Sequence, residues 1–276
     1  MFNMFNMSLM VPQLSTIGGG VEVVHVIPLE NEIDRAVRPF EVHNGFKANR
    51  VYLLAFVPDA AVSDVHDLMY YHGEVRRRLE ARGIETVTVQ TNIFDMLDVI
   101  TKVSSIVRRE RARGNIVYVN MSAGGAFVSV GTALAAMVQG ARLYYVRSYR
   151  YTDTPEEKRA HGNAIVTQPQ VHFLESFNIS LPDERGVRLL VELYRRGEMR
   201  TSEVLAFMHG EGVEGFEEDP SRLSRAEKIT LLMRLNKGVT EKLEVLGHVT
   251  KEKRGRENIY HITESGKYVA CISGLL

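Results

Sequence analysis

Between Val21 and Arg147, short apolar runs alternate with helix-patterned segments, and this alternation restricts the fold more than any other feature of the 276-residue chain. The runs are Val21–Leu29, Arg50–Val57 (RVYLLAFV), Ile84–Thr91 (IETVTVQT), Asn115–Met121 (NIVYVNM) and Ala141–Arg147 (ARLYYVR). They are apolar almost without interruption, as strands are when both faces of their sheet are covered. Between them, Ile33, Val37 and Phe40 recur at helical spacing across Asn31–Asn44. Ser63 or Asp64 can cap a helix reaching Arg82. Ile93, Leu97, Ile100, Val103 and Val107 stripe Asn92–Arg113, and Gly124–Gln139 is an unusually apolar helix. Gly83, Gly114 and Gly140 stand where these helices stop. Strands that alternate with helices run parallel and are joined by helical crossovers. The expectation is an α/β fold with a Rossmann-like, doubly wound, mainly parallel sheet.

The rhythm then breaks. Ser148–Asn163 is polar and charged, Ala164–Phe173 reads as an added edge strand or as a strand pairing across a dimer, and Asn178–Pro182 reads as a linker. The expected division is a disordered tail or partner-binding arm over 1–20, a ligand-binding domain over 21–177 and a second domain over 178–276. The tail holds Met1, Met4 and Met7 but no basic segment, which argues against a signal peptide. No apolar run is long enough to span a bilayer. The single cysteine, Cys271, rules out an intrachain disulfide, fits a reducing cytosol and reads as a small core filler. The expected location is cytoplasmic.

From Asp183 the pattern changes. Asp183 caps a helix over Val187, Leu190, Val191 and Tyr194, and Thr201 or Ser202 caps a shorter one. His209–Asp219 is a Gly- and Glu-rich insertion, and helical sequence runs from Ser224 to Leu246. Two β-like runs follow, His248–Glu252 and Asn258–Thr263, around Lys253-Arg254-Gly255-Arg256. Three helices followed by a hairpin with a basic glycine turn resemble the winged helix-turn-helix domains of bacterial and archaeal transcription regulators. The spacing expects Val239, Leu243 and Leu246 in the core, with Lys237, Thr240, Glu241 and Lys242 facing outward. Such a helix fits the major groove. Lys251, Lys253, Arg254 and Arg256 on the wing would lie near backbone phosphates. Double-stranded DNA is the expected partner, although a basic hairpin can also be a solvated turn or a protein contact. A net charge of zero leaves a one-faced cationic surface open. The acidic run Glu211, Glu214, Glu217, Glu218 and Asp219 would have to face away from DNA.

In open α/β sheets, ligands bind beyond the carboxyl ends of the strands. Two segments sit there: Pro28, Leu29, Glu30 and Asn31, and the turn Asn120-Met121-Ser122-Ala123-Gly124-Gly125, which leads straight into a helix. Paired glycines allow close backbone approach, and a helix amino end offers free N–H groups to an anion. Close helix–strand packing uses glycine as well. No G-x-G-x-x-G follows the first strand and no G-x-x-x-x-G-K-[ST] occurs, so neither a dinucleotide oxidoreductase nor a P-loop ATPase is expected. Asp64, His66, Asp67 and His72 share a helix at spacings that suit a wet surface better than a metal site, and no metal is expected.

An Asn-x-[Ser/Thr]-x-Gly-Gly turn after the fourth strand, in a Rossmann-like domain followed by a winged helix, resembles the CRISPR-associated Rossmann-fold (CARF) transcription regulators of archaea. The resemblance implies a homodimer that binds a cyclic oligoadenylate across its axis. Pro28, Leu29, Glu30 and Asn31 would line one side of that pocket, and Ser122, Ala123, Gly124 and Gly125 the other. Many relatives carry Thr-Lys after the glycines, whereas Ala126-Phe127 follow here, so a natural phosphate contact is missing. Asn92 and Asp95 can also reach the pocket, with a helix cap and a first-turn acid as their alternative roles. The expected function is a ligand-responsive transcription regulator on a palindromic operator, with no catalytic residue. The alternatives are a ring nuclease that cleaves the cyclic oligoadenylate and a winged-helix protein adaptor.

Overall fold

The computed structural model describes residues 20–41, 46–56, 65–177 and 179–276. Nearly all of the expected tail, and the expected cap at Ser63 or Asp64, lie outside them. The first half runs β1 (Val23–Pro28), α1 (Asp34–Glu41), β2 (Arg50–Ala55), α2 (Val65–Glu80), β3 (Glu85–Gln90), α3 (Met96–Ala112), β4 (Ile116–Asn120), α4 (Ala126–Val138) and β5 (Arg142–Arg147). These strands are parallel, and the six-stranded sheet has the order β3-β2-β1-β4-β5-β8, where β8 (Gln170–Leu174) is an antiparallel edge strand. The expected doubly wound sheet is therefore present, and the order reverses between β1 and β4.

Side chains alternate across a strand, and the two faces of β1 show it. Val24 and Val26 pack with Val99, Ile100 and Val103 of α3 and with Val128, Ala135 and Ala136 of α4. Ile27 packs on the opposite face with Val37 and Phe40 of α1 and Val75 and Leu79 of α2. His25 is fully buried. Its Nε2–H donates to the Lys47 carbonyl at 3.2 Å, its Nδ1 lies 3.3 Å from the Tyr144 hydroxyl, and Phe40, Phe46 and Tyr118 surround the ring.

The polar stretch after β5 forms β6 (Arg150–Tyr151), α5 (Pro155–His161) and β7 (Ala164–Ile165). This excursion is tied onto the start of α1. Asn163 N–H donates to the Asn31 carbonyl, and Ile33 N–H to that of His161. Asp34, which is buried, accepts from Val166 N–H at 2.9 Å and lies 3.0 Å from His161 Nδ1. The single edge strand expected over Ala164–Phe173 is thus two strands, and only β8 joins the main sheet.

The second half runs α6 (Glu184–Arg196), β9 (Glu198–Arg200), α7 (Thr201–Gly210), α8 (Arg225–Leu235), a π-helical turn (Asn236–Thr240), α9 (Glu241–Val245), β10 (Val249–Arg254), β11 (Glu257–Ile262) and α10 (Glu264–Ile272). Three helical segments and an antiparallel sheet of order β10-β11-β9 make the winged-helix plan. Leu189, Leu190, Leu193, Val204, Leu231, Leu235, Val239, Leu243 and Tyr260 form its core.

The last helix was not legible in the sequence. Val269 and Ala270 of α10 belong to the winged-helix core, while Cys271 and Ile272 belong to the core between the parallel sheet and α3–α4. Gln139, which ends α4, donates its side-chain amide to the Ile272 carbonyl at 2.6 Å. Gly274 has φ +71°, and a Cβ there would stand 3.0 Å from the Ser104 carbonyl oxygen of α3. Cys271 is buried in this seam, as a core filler would be. Among the described residues, no helix is long and apolar enough to cross a membrane.

Burial lowers the His25 pKa from 6.5 to about 4. The folded state thus rejects a proton that the unfolded chain accepts. Its stability is complete above pH 6.5 and drains away as pH falls toward 4, by an amount on the order of 3 kcal/mol. Denaturant titrations between pH 7 and pH 4 should show a steeper acid loss for the wild type than for His25→Gln; equal slopes would contradict this.

Candidate functional site

The first two β–α turns of interest meet at the reversal between β1 and β4. Pro28 and Leu29 are buried at the end of β1, and Leu29 N–H donates to the Leu54 carbonyl. Glu30 turns toward α4. Its backbone N–H donates to the Ala123 carbonyl at 3.1 Å, and its carboxylate accepts from Gly125 N–H at 2.8 Å. The amino end of α4, which the sequence offers to an anion, is therefore met by the chain's own carboxylate. A Cβ on Gly125 would stand 2.9 Å from both Glu30 oxygens, so this glycine is needed for that approach. A Cβ on Gly124 would stand 2.7 Å from Val128 Cγ1, so Gly124 serves close packing against α4.

Ser122 is buried and its hydroxyl is committed. It donates to Asn120 Oδ1 at 2.6 Å and accepts from Val146 N–H at 3.0 Å. Asn120 is buried with it, accepting from Ser122 N–H at 2.7 Å and donating to the Arg35 carbonyl at 3.0 Å. These two residues lock the turn to β5 and α1. Ala123 is buried, while Gly124, Gly125, Glu30 and Asn31 are partly open.

Asn92 lies elsewhere. It lines a cleft of about 470 Å³ with Asp95, Asp98 and Thr101 of the α3 region, Tyr194 and Arg195 of α6, and Leu276. Asp95 is the amino cap of α3, accepting from Leu97 N–H at 2.9 Å, which is its alternative role.

A buried ion pair not expected from the sequence sits beneath the turn. Arg35, in the first turn of α1, holds Glu32 at 3.0 Å, reaches Ser148 Oγ at 3.1 Å and lies 3.5 Å from the Ser122 carbonyl. Its guanidinium lies 5.7 Å from the ring centres of both Tyr145 and Tyr151. Both residues of the pair are buried, yet among the described residues Arg35 Nε, Glu32 Oε2 and the neighbouring Asn31 Oδ1 make no well-formed hydrogen bond, with the Ala164 backbone N–H close to the Glu32 carboxylate. Burial pushes the Glu32 carboxyl upward, against the opposing pull of Arg35. Charged residues directly after a buried strand, at the carboxyl edge of the sheet, were the available signal.

In the second half, Lys237 is exposed on the π-helical turn and Lys242 is exposed with its ammonium 3.6 Å from Asp183. Thr240, expected to face outward, is 1 % exposed, and its hydroxyl donates to Asn236 Oδ1 at 3.4 Å. The wider π-helical turn rotates it inward beside Val239. Leu246, expected in the core, is 55 % exposed because the helix ends at Val245 and Gly247 turns away with φ +73°. The wing is a hairpin in which Lys253 pairs with Asn258 and Arg254 with Glu257 across the turn at Gly255, whose φ is +67°. Lys251 is paired with Glu244 and Arg254 with Glu252, whereas Lys253 and Arg256 make no ion pair with another described residue. Arg225 and Lys228 of α8 are also exposed. The acidic insertion folds back on its own domain through buried Val213 and Phe216, with Glu211 3.6 Å from Arg188. Among the described residues, no group of three or more His, Cys, Asp or Glu is placed to hold a metal.

Residues 23–151 match a family described as "HFX_2341_N:-like, N-terminal", and residues 185–274 match the "DUF6293 C-terminal winged helix domain". The chain carries these two domains, in this order. The domain order expected from the resemblance to CARF-type regulators is thus borne out. No curated protein matches the sequence. Similar solved structures include VC1899 from Vibrio cholerae, with 14% identity and a TM-score of 0.38, covering 92% of this chain and 66% of that one. Can2 from Sulfobacillus thermosulfidooxidans, in complex with cyclic tetra-adenylate, gives 11% and 0.37, covering 90% and 61%. Csm6 from Enterococcus italicus, bound to cyclic hexa-2'-fluoro-hexa-dAMP, gives 12% and 0.37, covering 86% and 58%. The chain spans less than two-thirds of the length of each of these three.

The Ser122 hydroxyl is the acceptor for the buried Val146 N–H, and Ser122→Ala leaves that donor unpaired, while Asn120 Oδ1 keeps the backbone N–H of residue 122. Such a loss costs about 1–3 kcal/mol. Chemical denaturation of the variant should show that drop; an unchanged midpoint would contradict the clamp.

Proposed function

We propose that the chain is a homodimeric, ligand-responsive regulator that binds double-stranded DNA and senses a cyclic oligoadenylate or related nucleotide at the tips of β1 and β4. The observation that carries this reading is the shared seam around α10. One helix completes both the core of the sheet domain and the core of the winged helix. A shift of α4, whose amino end adjoins the effector turn and whose cap residue Gln139 holds the Ile272 carbonyl, is passed to the winged helix without an intervening linker. Coupling of this kind requires only that the effector bind one arrangement of the dimer better than another.

Support for the nucleotide comes from the resemblance of Asn120–Gly125 to the CARF-type turn and from its place where the strand order reverses. Support for the dimer comes from α4, a helix without a single charged residue over Ala126–Val138. Phe127 and Val130 are 54 % and 53 % exposed on its outer face, one turn apart, beside the effector turn. An exposed apolar stripe of this kind marks an interface. A second copy packed there brings two effector turns to one axis, as a cyclic ligand needs. The internal commitment of Ser122 favours binding over cleavage.

For DNA, the wing cations Lys253 and Arg256, with Lys251 and Arg254 releasing their carboxylate partners, approach phosphates. Lys237, Lys242, Arg225 and Lys228 line the helix that enters the groove. A two-fold pair of such helices calls for a palindromic operator with half-sites about one helical turn, or a multiple of it, apart.

Arg254→Ala/Arg256→Ala should weaken DNA binding on every sequence and flatten the salt dependence of log affinity by roughly two phosphate contacts. Anisotropy titrations across a salt series read this, and unchanged affinity and slope would favour a protein-binding role for the wing. A melt of the wild type with cyclic tetra-adenylate should rise with the logarithm of ligand concentration. A melting temperature that stays put up to millimolar ligand would remove this effector.

A further inference from the structure

We propose that Arg35 is the anion-reading side chain of the effector site, and that Glu32 is an internal stand-in that an incoming phosphate displaces. The inference rests on the effector reading above and adds the group that recognises the ligand's charge.

The turn after β4 supplies backbone N–H groups but no cation. Ala126 and Phe127 follow the glycines, and Gly125 N–H already holds the Glu30 carboxylate. An anion approaching only that turn meets a like charge. A guanidinium comes from α1, since Arg35 reaches under the turn to 3.5 Å from the Ser122 carbonyl.

The surroundings of Arg35 are those of a recognition group whose partner set is incomplete. An arginine offers five N–H donors in a rigid fork suited to bidentate anions. Here one nitrogen meets Glu32 at 3.0 Å and another meets Ser148 at 3.1 Å. Among the described residues the Nε donor is buried without a partner, as are Asn31 Oδ1 and Glu32 Oε2, although the Ala164 backbone N–H stands close to the Glu32 carboxylate. Buried polar atoms are almost always paired, so three orphans in neighbouring residues mark a place where polar ligand atoms belong. Tyr145 and Tyr151 flank the guanidinium, and Tyr151 is largely exposed, so the way in passes along an aromatic edge.

Exchange of partners is electrically balanced. Glu32 presents one carboxylate to Arg35, and a phosphodiester brings one negative charge to the same fork. Glu32 then takes up a proton, which its burial already favours, so no bare carboxylate is left in the interior. Asp34, the other buried acid of this turn, stays with Val166 N–H and His161 and is not part of the exchange.

The test is calorimetric titration of the full-length wild type, Arg35→Gln, Arg35→Lys and Glu32→Gln with cyclic tetra-adenylate and, separately, with inorganic tripolyphosphate. Arg35→Gln should lose roughly tenfold or more in affinity for both, and Arg35→Lys should recover part of it. Glu32→Gln should bind both several-fold more tightly than the wild type, a gain that a merely structural ion pair would not give. It also keeps the test open if Arg35→Gln fails to fold. Wild-type affinity in Glu32→Gln and Arg35→Gln, in a protein that does bind cyclic tetra-adenylate, would overturn this inference and leave the effector reading standing. Tripolyphosphate binding that depends on Arg35, without cyclic tetra-adenylate binding, would uphold the inference and overturn the effector reading. A wild type that binds neither anion overturns the inference.

Discussion

The apolar seam where α3, α4 and α10 meet is the contact on which the rest of the structure depends. Ile272 and Cys271 fill the sheet domain's core from the far end of the winged helix, and Val269 and Ala270, immediately before them, fill the other core. Domains tethered only by a linker reorient freely, whereas a shared hydrophobic core moves as one body. Here the polar ties reinforce the apolar ones. Gln139 holds the Ile272 carbonyl, and Arg195 Nη2 reaches the Leu275 carbonyl at 3.4 Å. On the proposed reading, each subunit is a rigid lever with the turn after β4 at one end and the helix proposed to enter the groove at the other. Regulation on that reading acts between subunits, not at a hinge within one.

Electrostatics at the other end of that lever follow from burial. The β1–α1 turn packs Glu30, Glu32, Asp34 and Arg35 into a few residues, and each has found an internal role: a helix amino end, an ion pair, a strap of backbone N–H and histidine, and a carbonyl of the neighbouring turn. The β6–α5–β7 excursion is what encloses them, through Asn163, His161 and Val166. The result is a site closed by the chain's own acids, which any anionic ligand must replace.

The parallel sheet was legible because its strands are covered on both faces, so β1, β2, β4 and β5 appear as unbroken apolar runs with glycine stops between. The turn Asn120–Gly125 stood out for its glycines, and its position after β4 was correct. Its inner workings were not legible. The hydroxyl of Ser122 and the carboxylate of Glu30 are spent on partners 24 and 95 residues away. The Arg35–Glu32 pair escaped notice because a local i,i+3 pair on a helix start reads as ordinary surface charge. Two-residue strands such as β6 and β7 carry no period to detect. Thr240 was misplaced because a π-helical turn breaks the 3.6-residue register on which the inside–outside assignment relied, and Leu246 because the helix stops one residue before it. The dual role of α10 was hidden because four consecutive residues face two cores at once, which no single periodicity describes.

Hydrogen exchange of the α10 backbone amides tests the rigid-lever account most directly. If the seam joins the two domains, the amides of Val269–Ile272 exchange with the same opening free energy as those of α3 and α4. Exchange of α10 through a lower-energy opening, with α3 and α4 still protected, would show that the winged helix separates from the sheet domain, and the account would fail.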